Sequence, residues 1–298
     1  MTARPEPLTL RLREIGARWQ QDIRAAGDET KALYLPLLAQ APKAGVEVVR
    51  DLAYGDDPRQ VLDAYRPAGA RNAPVLVFVH GGAFIRGAKD INAEMYANVA
   101  TWFARHGCVG INMEYRLAQQ APYPGGAADV ALACRWLARH VGALGGDAGR
   151  ICLLGHSAGG THVATWACDP LCGLPPIDVR CAVLVSARLQ ADVLPANPNA
   201  PGVAAYFGPD PACHGPRSPL AHAARAPLPV LVANAEFENP LLDLYGLEFA
   251  LALGQARGAA PLHIALPDHN HVSIMAHFNT PEQWLGEQVL AFCERACR

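Results

Sequence analysis

The sequence predicts an α/β fold in which a mainly parallel sheet is covered by helices on both faces. Three observations lead there. From residue 75 onward, short apolar runs alternate with helical stretches, the pattern of strands returning through crossover helices. The segment Gly155-His156-Ser157-Ala158-Gly159-Gly160 follows directly on the apolar run Ile151-Cys152-Leu153-Leu154, so a buried strand must turn sharply into a helix. His80-Gly81-Gly82-Ala83-Phe84 follows Val75-Leu76-Val77-Phe78-Val79 in the same way, placing a glycine-rich turn at a strand's carboxyl end, where such sheets gather their active groups.

Leu8, Leu12, Ile15, Trp19 and Ile23 recur at three- and four-residue steps, which predicts one apolar helical stripe over 8–26 within an N-terminal helical cap segment, 1–44. Val46–Val49 and Gln60–Tyr65 read as early strands around the turn Gly55-Asp56-Asp57-Pro58. The run 75–79 then leads to a helix near 90–106, and Cys108–Asn112 to a helix near 124–141. Strand 150–154 leads into a helix from Ser157. Strand Cys181–Val185 leads into residues 186–226, where seven prolines between Pro195 and Pro219 predict an irregular, lid-like insertion. Val230–Ala233, a helix near 240–256, Leu262–Leu266 and a helix near 282–296 complete the alternation.

At 298 residues and 51% hydrophobic content the chain can bury a sizeable core, and a single domain over 1–298 is expected. A formal net charge of −2 with mixed signs gives no electrostatic footprint for nucleic acid or an anionic membrane. With neither an 18-residue apolar run nor a signal-like N-terminus, the expectation is a cytoplasmic protein. Nine cysteines lie without paired metal spacing; even Cys168 and Cys172 lack a completing pair, so no metal is expected. The thiols read as small buried side chains in a reducing compartment.

Ser157, one of only four serines, has the setting of a nucleophile. A hydroxyl needs a base to take its proton and a carboxylate to orient that base. Glu236, Glu238 and Asp243 follow the strand ending at Ala233. Asn239 and Pro240 read as an N-cap and first helical residue, which places Asp243 in a first helical turn, where an acid has an ordinary dipole-stabilising role. Past the last strand, Pro267-Asp268-His269-Asn270-His271-Val272-Ser273 offers two histidines.

With these motifs in place the chain resembles the α/β-hydrolase fold, with an N-terminal helical segment ahead of it. Within that fold it is similar to the hormone-sensitive-lipase-like and feruloyl-esterase-like carboxylesterases. His80-Gly81-Gly82-Ala83-Phe84 is similar to their oxyanion motif. Tyr115-Arg116-Leu117-Ala118 with Ala121-Pro122-Tyr123-Pro124 is similar to their YRLAPE…PFP segment, Gln119 and Gln120 replacing proline and glutamate. His156 stands where many hormone-sensitive-lipase-like members carry aspartate, and histidine there is more typical of kynurenine formamidase and feruloyl-esterase-like relatives. Ala235-Glu236-Phe237-Glu238 is similar to a stretch whose last residue is the triad acid, and His269-Asn270-His271-Val272-Ser273 to an HNHxS segment.

The resemblance implies a Ser157, Glu238, His271 triad, with the amides of Gly82, Ala83 and Ala158 as oxyanion hole and no cofactor. His80 and His156 would be structural, and His162 a packed helix residue. Asp243 and His269 stay as the competing acid and base. The implied activity is hydrolysis of small neutral, short-chain or aromatic esters through an acyl-enzyme. Phe84, Tyr206, Phe207 and Phe237 would be pocket walls, with no strong charge cluster near the motifs. The alternatives are a kynurenine formamidase acting on an aryl formamide with the same triad, and a non-catalytic hydrolase-fold ligand-binding protein. The sequence does not distinguish a monomer from a homodimer.

Overall fold

The computed structural model describes residues 4–175 and 177–298, so the first three residues of the segment 1–44 lie outside the described ones. Its centre is an eight-stranded sheet: β1 (Val46–Ala53), β2 (Val61–Pro67), β3 (Ala73–Val79), β4 (Val109–Met113), β5 (Gly146–His156), β6 (Cys181–Val185), β7 (Val230–Phe237) and β8 (Leu262–Asn270), in the order β1-β2-β4-β3-β5-β6-β7-β8. The β1–β2 and β2–β4 pairs are antiparallel; the pairings from β4 through β8 are parallel.

Side-chain alternation along the central strands sorts residues to two apolar layers. On β3 and β5, Val75, Val77, Val79, Ile151 and Leu153 face one core. It is closed by α4 (Gly125–His140), α5 (Ala158–Cys168) and α8 (Leu242–Arg257). Leu76, Phe78, Cys152 and Leu154 point the other way, under α3 (Ala97–Arg105) and α10 (Trp284–Ala296). Because both faces are covered, these strands are apolar almost continuously. The thiols of Cys152, Cys181 and Cys293 meet in the second layer, within 4.8 Å of one another.

The N-terminal stripe departs from expectation. It is divided between α1 (Glu6–Ala17) and α2 (Ile23–Ala39), because Asp22 accepts the Ala25 amide at 2.9 Å and starts a new helix. The apolar residues still align: Leu12, Tyr34 and Leu38 pack on Met95 and Ala276, and Ile15, Trp19 and Ala26 form a second cluster against Phe237 and Val272. The helix expected from residue 90 starts at Ala97. Asn92 accepts the amides of Glu94 and Met95, and Tyr96 has φ +77°, so the chain turns there before the helix begins.

Residues 186–226 are also more regular than expected. They contain α6 (Ala200–Phe207), short 3-10 turns Pro211–Cys213 and Pro219–Arg225, and the short α7 (His214–Arg217). Pro201, Pro211 and Pro219 stand at the first positions of these elements, where a missing N–H costs nothing. One further short helix, α9 (Ser273–Ala276), follows β8. Among the described residues, no helix is long and apolar enough to cross a membrane.

Candidate active site

Ser157 stands between β5 and α5 with φ +54° and ψ −120°, an uncommon conformation for a residue with a side chain. The turn is tight because glycines flank it. A Cβ on Gly159 would collide with the Val79 and His80 carbonyls, and one on Gly155 would lie 2.6 Å from the Gly160 Cα. Strand and helix therefore pass almost backbone to backbone, and Ser157 projects from the crest.

The Ser157 hydroxyl donates to His271 Nε2 at 3.0 Å, and His271 Nδ1–H donates to Glu238 Oε2 at 2.8 Å. Glu238 follows directly on β7 and His271 on β8, so the carboxyl ends of β5, β7 and β8 converge on one spot. Burial opposes ionisation of Glu238, yet the facing His271, the Ser186 hydroxyl and the Ala235 amide together hold its carboxyl below the usual range.

The competing residues lie elsewhere. His269 is fully buried, its Nε2 at 3.0 Å from Glu282 Oε1 and its Nδ1 at 3.0 Å from Ser273 Oγ. Asp243 is exposed in the first turn of α8, and Glu236 is exposed and accepts the Asp268 amide at 2.6 Å. Asn239 and Pro240 do not open α8. Leu241, in a left-handed conformation, precedes the first helical residue Leu242, while Asn239 is buried and accepts the Trp19 indole N–H at 3.1 Å.

Gly82 has a backbone that other residues cannot copy, since a Cβ there would collide with the Arg86 carbonyl. Ala83 follows at φ +49°. Gly82 and Ala83 line the same cleft as Ser157, and the Ala158 amide lies at the start of α5, where N–H groups have no intrahelical acceptor. His80 anchors this loop from beneath: Nε2 lies 2.8 Å from Glu114 Oε1, and its carbonyl accepts the Tyr115 hydroxyl at 2.9 Å. His156 donates from Nε2 to the His271 carbonyl at 3.0 Å. Burial and the neighbouring His271 keep its pKa far below the usual histidine value, which matches a neutral ring bracing the base. His162, pushed down to about 3 by burial, meets the Tyr206 hydroxyl at 3.2 Å.

The cleft over Ser157 has a volume of about 670 Å3. Its walls differ from the expected ones. Phe84, Tyr206 and Phe207 are buried in a cluster of their own, with Phe84 and Tyr206 stacked at 4.8 Å, and Phe237 packs beneath α1 against Gly16. Trp19, Ile23, Met95 and Tyr96 line the cleft instead. Charged residues also stand in the lining: Arg24, Asp28 and Lys31 come from a helix remote from the motifs, and Arg86 from two residues past Phe84.

Several participants escaped the sequence reading. Ser186 carried a usable signal, a rare serine directly after a strand at the sheet's carboxyl edge. Asn270 fixes the histidine loop by accepting the Val272 and Ser273 amides and donating to Thr30 at 3.0 Å. The bond between Trp19 and Asn239 had no local signal, because they lie 220 residues apart.

The architecture is that of the α/β-hydrolase fold. Residues 62–169 match the BD-FAE family model. It is 40% identical over 120 residues to Esterase LipC of Mycobacterium tuberculosis, covering 40% of this chain and 29% of that protein. It is 31% identical over 119 residues to mouse hormone-sensitive lipase, covering 40% and 15%. The aligned region thus spans less than a third of the length of these curated relatives. Among solved structures, Esterase B from Lactobacillus rhamnosis superposes with a TM-score of 0.74 at 20% identity, covering 97% of this chain and 96% of that one. A bacterial heroin esterase superposes with a TM-score of 0.71 at 24% identity, covering 94% and 93%. These likenesses establish the fold.

Proposed function

We propose that the chain is a serine carboxylesterase acting on small esters, and that Ser157, His271 and Glu238 are its catalytic residues. The observation that carries this is the unbroken hydrogen-bond chain Ser157–His271–Glu238 opening onto a cleft. His271 accepts the Ser157 proton as Oγ attacks the ester carbonyl, and Glu238 stabilises the imidazolium. The Gly82, Ala83 and Ala158 amides receive the oxyanion. Collapse expels the alcohol, which takes the proton from His271, and leaves an acyl-enzyme. Water, deprotonated by the same histidine, then adds to the acyl carbon; the bond to Oγ breaks, Oγ takes the proton back from His271, and the acid leaves.

The relatives named esterases support this reading. In it, α1 and α2 cap the cleft, and residues 186–226 form a second wall through Pro198 and Asn199. The described cysteines are all unpaired as disulfides, which fits a reducing compartment such as the cytoplasm.

The test is Ser157→Ala with 4-nitrophenyl acetate. The variant is expected to fold normally and lose at least about a thousandfold in kcat, and a fluorophosphonate should label Ser157 in the parent protein. Parent-like turnover by the variant, or labelling at another residue, would overturn the assignment.

A further inference from the structure

The cleft carries an uneven charge. Arg24 and Lys31 enter it from α2, and Arg86 from the loop that follows Gly82 and Ala83; Asp28 is the acidic side chain beside them. Asp28 is already engaged, accepting from Lys31 Nζ at 2.5 Å. Arg86 donates to a neutral acceptor, Asn199 Oδ1, at 3.1 Å. The Arg24 side chain makes no hydrogen bond or ion pair among the described residues, although its charge helps to hold Asp28 ionised. Both guanidiniums are exposed, so they reach the cleft without having been stripped of water. A wall of this kind attracts a ligand anion and gains little from a neutral one.

From this we propose that the site takes esters bearing a second, anionic group, carboxylate being the simplest, held by Arg24 and Arg86 while the ester lies at Ser157. A guanidinium can meet a carboxylate with two parallel N–H donors, which fixes orientation as well as charge. The proposal rests on the ester-hydrolase reading of the same site. It names what distinguishes one ester from another there.

Binding to Ser157→Ala tests it without needing turnover. Two matched pairs separate an anion on the acyl side from one on the alcohol side. These are 4-nitrophenyl hydrogen glutarate against 4-nitrophenyl pentanoate, and 4-acetoxybenzoate against 4-acetoxybenzamide. Calorimetric titration at low salt is expected to show at least about tenfold tighter binding of the anion in one pair, and the pair identifies the side. In 1 M salt, where the Debye length is only about 3 Å, that preference should shrink. Adding Arg24→Ala and Arg86→Ala should bring the ratio close to one, whereas Arg71→Ala, an exposed change outside the cleft lining, should leave it intact.

Equal binding within both pairs, or a preference that survives loss of both arginines, would overturn the proposal. Parent-enzyme turnover of the neutral esters reports separately on the hydrolase reading. Turnover without anion preference removes the substrate class alone; anion-selective binding without turnover or Ser157 labelling removes the hydrolase reading alone.

Discussion

Glu238 holds its charge in a buried place because four groups face its two oxygens: His271, the Ser186 hydroxyl, and the amides of Ala235 and Asn239. A neutral amide could not stabilise the imidazolium and would turn an N–H toward those donors. Glu238→Gln is therefore expected to lower kcat/KM by about a thousandfold or more, while Asp243→Asn, exposed and remote, changes it less than about twofold. Assay of both against one ester checks the ranking. Of the two histidines, His271→Ala should match Ser157→Ala, and the double variant should add little, since residues working as a unit are non-additive. His269→Ala should act on stability instead. It strips half-buried Glu282 of one of its partners, a loss of about 1–3 kcal/mol by denaturant unfolding, with a smaller effect on kcat. Ser157, Gly82 and Ala83 were legible because their chemistry lies in contiguous residues. The choice between neighbours such as His269 and His271 was not settled by spacing, since it turns on which way a loop points.

At the scale of elements, the strand and helix around Ser157 depend on contact between backbones. Gly159→Ala would drive a methyl group into the Val79 and His80 carbonyls. The strain is expected to cost about 1–3 kcal/mol and to displace both Ser157 and the Gly82 loop. A lower unfolding midpoint together with weak fluorophosphonate labelling would show it. Parent-like values in both would mean that the turn relaxes freely. The strands were readable as apolar runs between punctuating residues, and β3 to β8 fall close to where periodicity puts them. The N-terminal break was hidden because Leu8 to Ile23 keeps helical spacing across it, and Asp22 as a capping residue was the overlooked sign. In residues 186–226 prolines were read as breakers, although several open short helical turns.

For the whole molecule, the N-terminal helices are tied to the C-terminal third by groups that respond to acid. Glu282 faces His269 and Arg4; burial opposes its ionisation, but the His269 hydrogen bond and neighbouring positive charge prevail and hold its carboxyl at about 2. Because the folded value lies below the ordinary 4.5, this contribution is present in full above that pH and is lost as pH falls toward about 2. Glu282→Gln should be less stable than the parent at neutral pH and should lose less on acidification through that window, as read by denaturant unfolding at stepped pH. An unchanged pH slope would show that Glu282 is not the responsible group. The mainly parallel sheet and the gathering of polar groups at its carboxyl ends follow from the alternation of strands and helices. The charged wall of the cleft does not, because Arg24 and Arg86 become neighbours of Ser157 only after the chain closes. That closure also gives the protein an optical reporter. Among its five tryptophans, Trp19 is the one that both lines the cleft and, through Asn239, touches the Glu238 loop. A ligand that packs against the cleft wall or shifts the Glu238 loop should change the emission of this buried indole, and in Trp19→Phe that response should vanish. Occupancy can then be followed by fluorescence with silent, unlabelled esters, before any bond is broken.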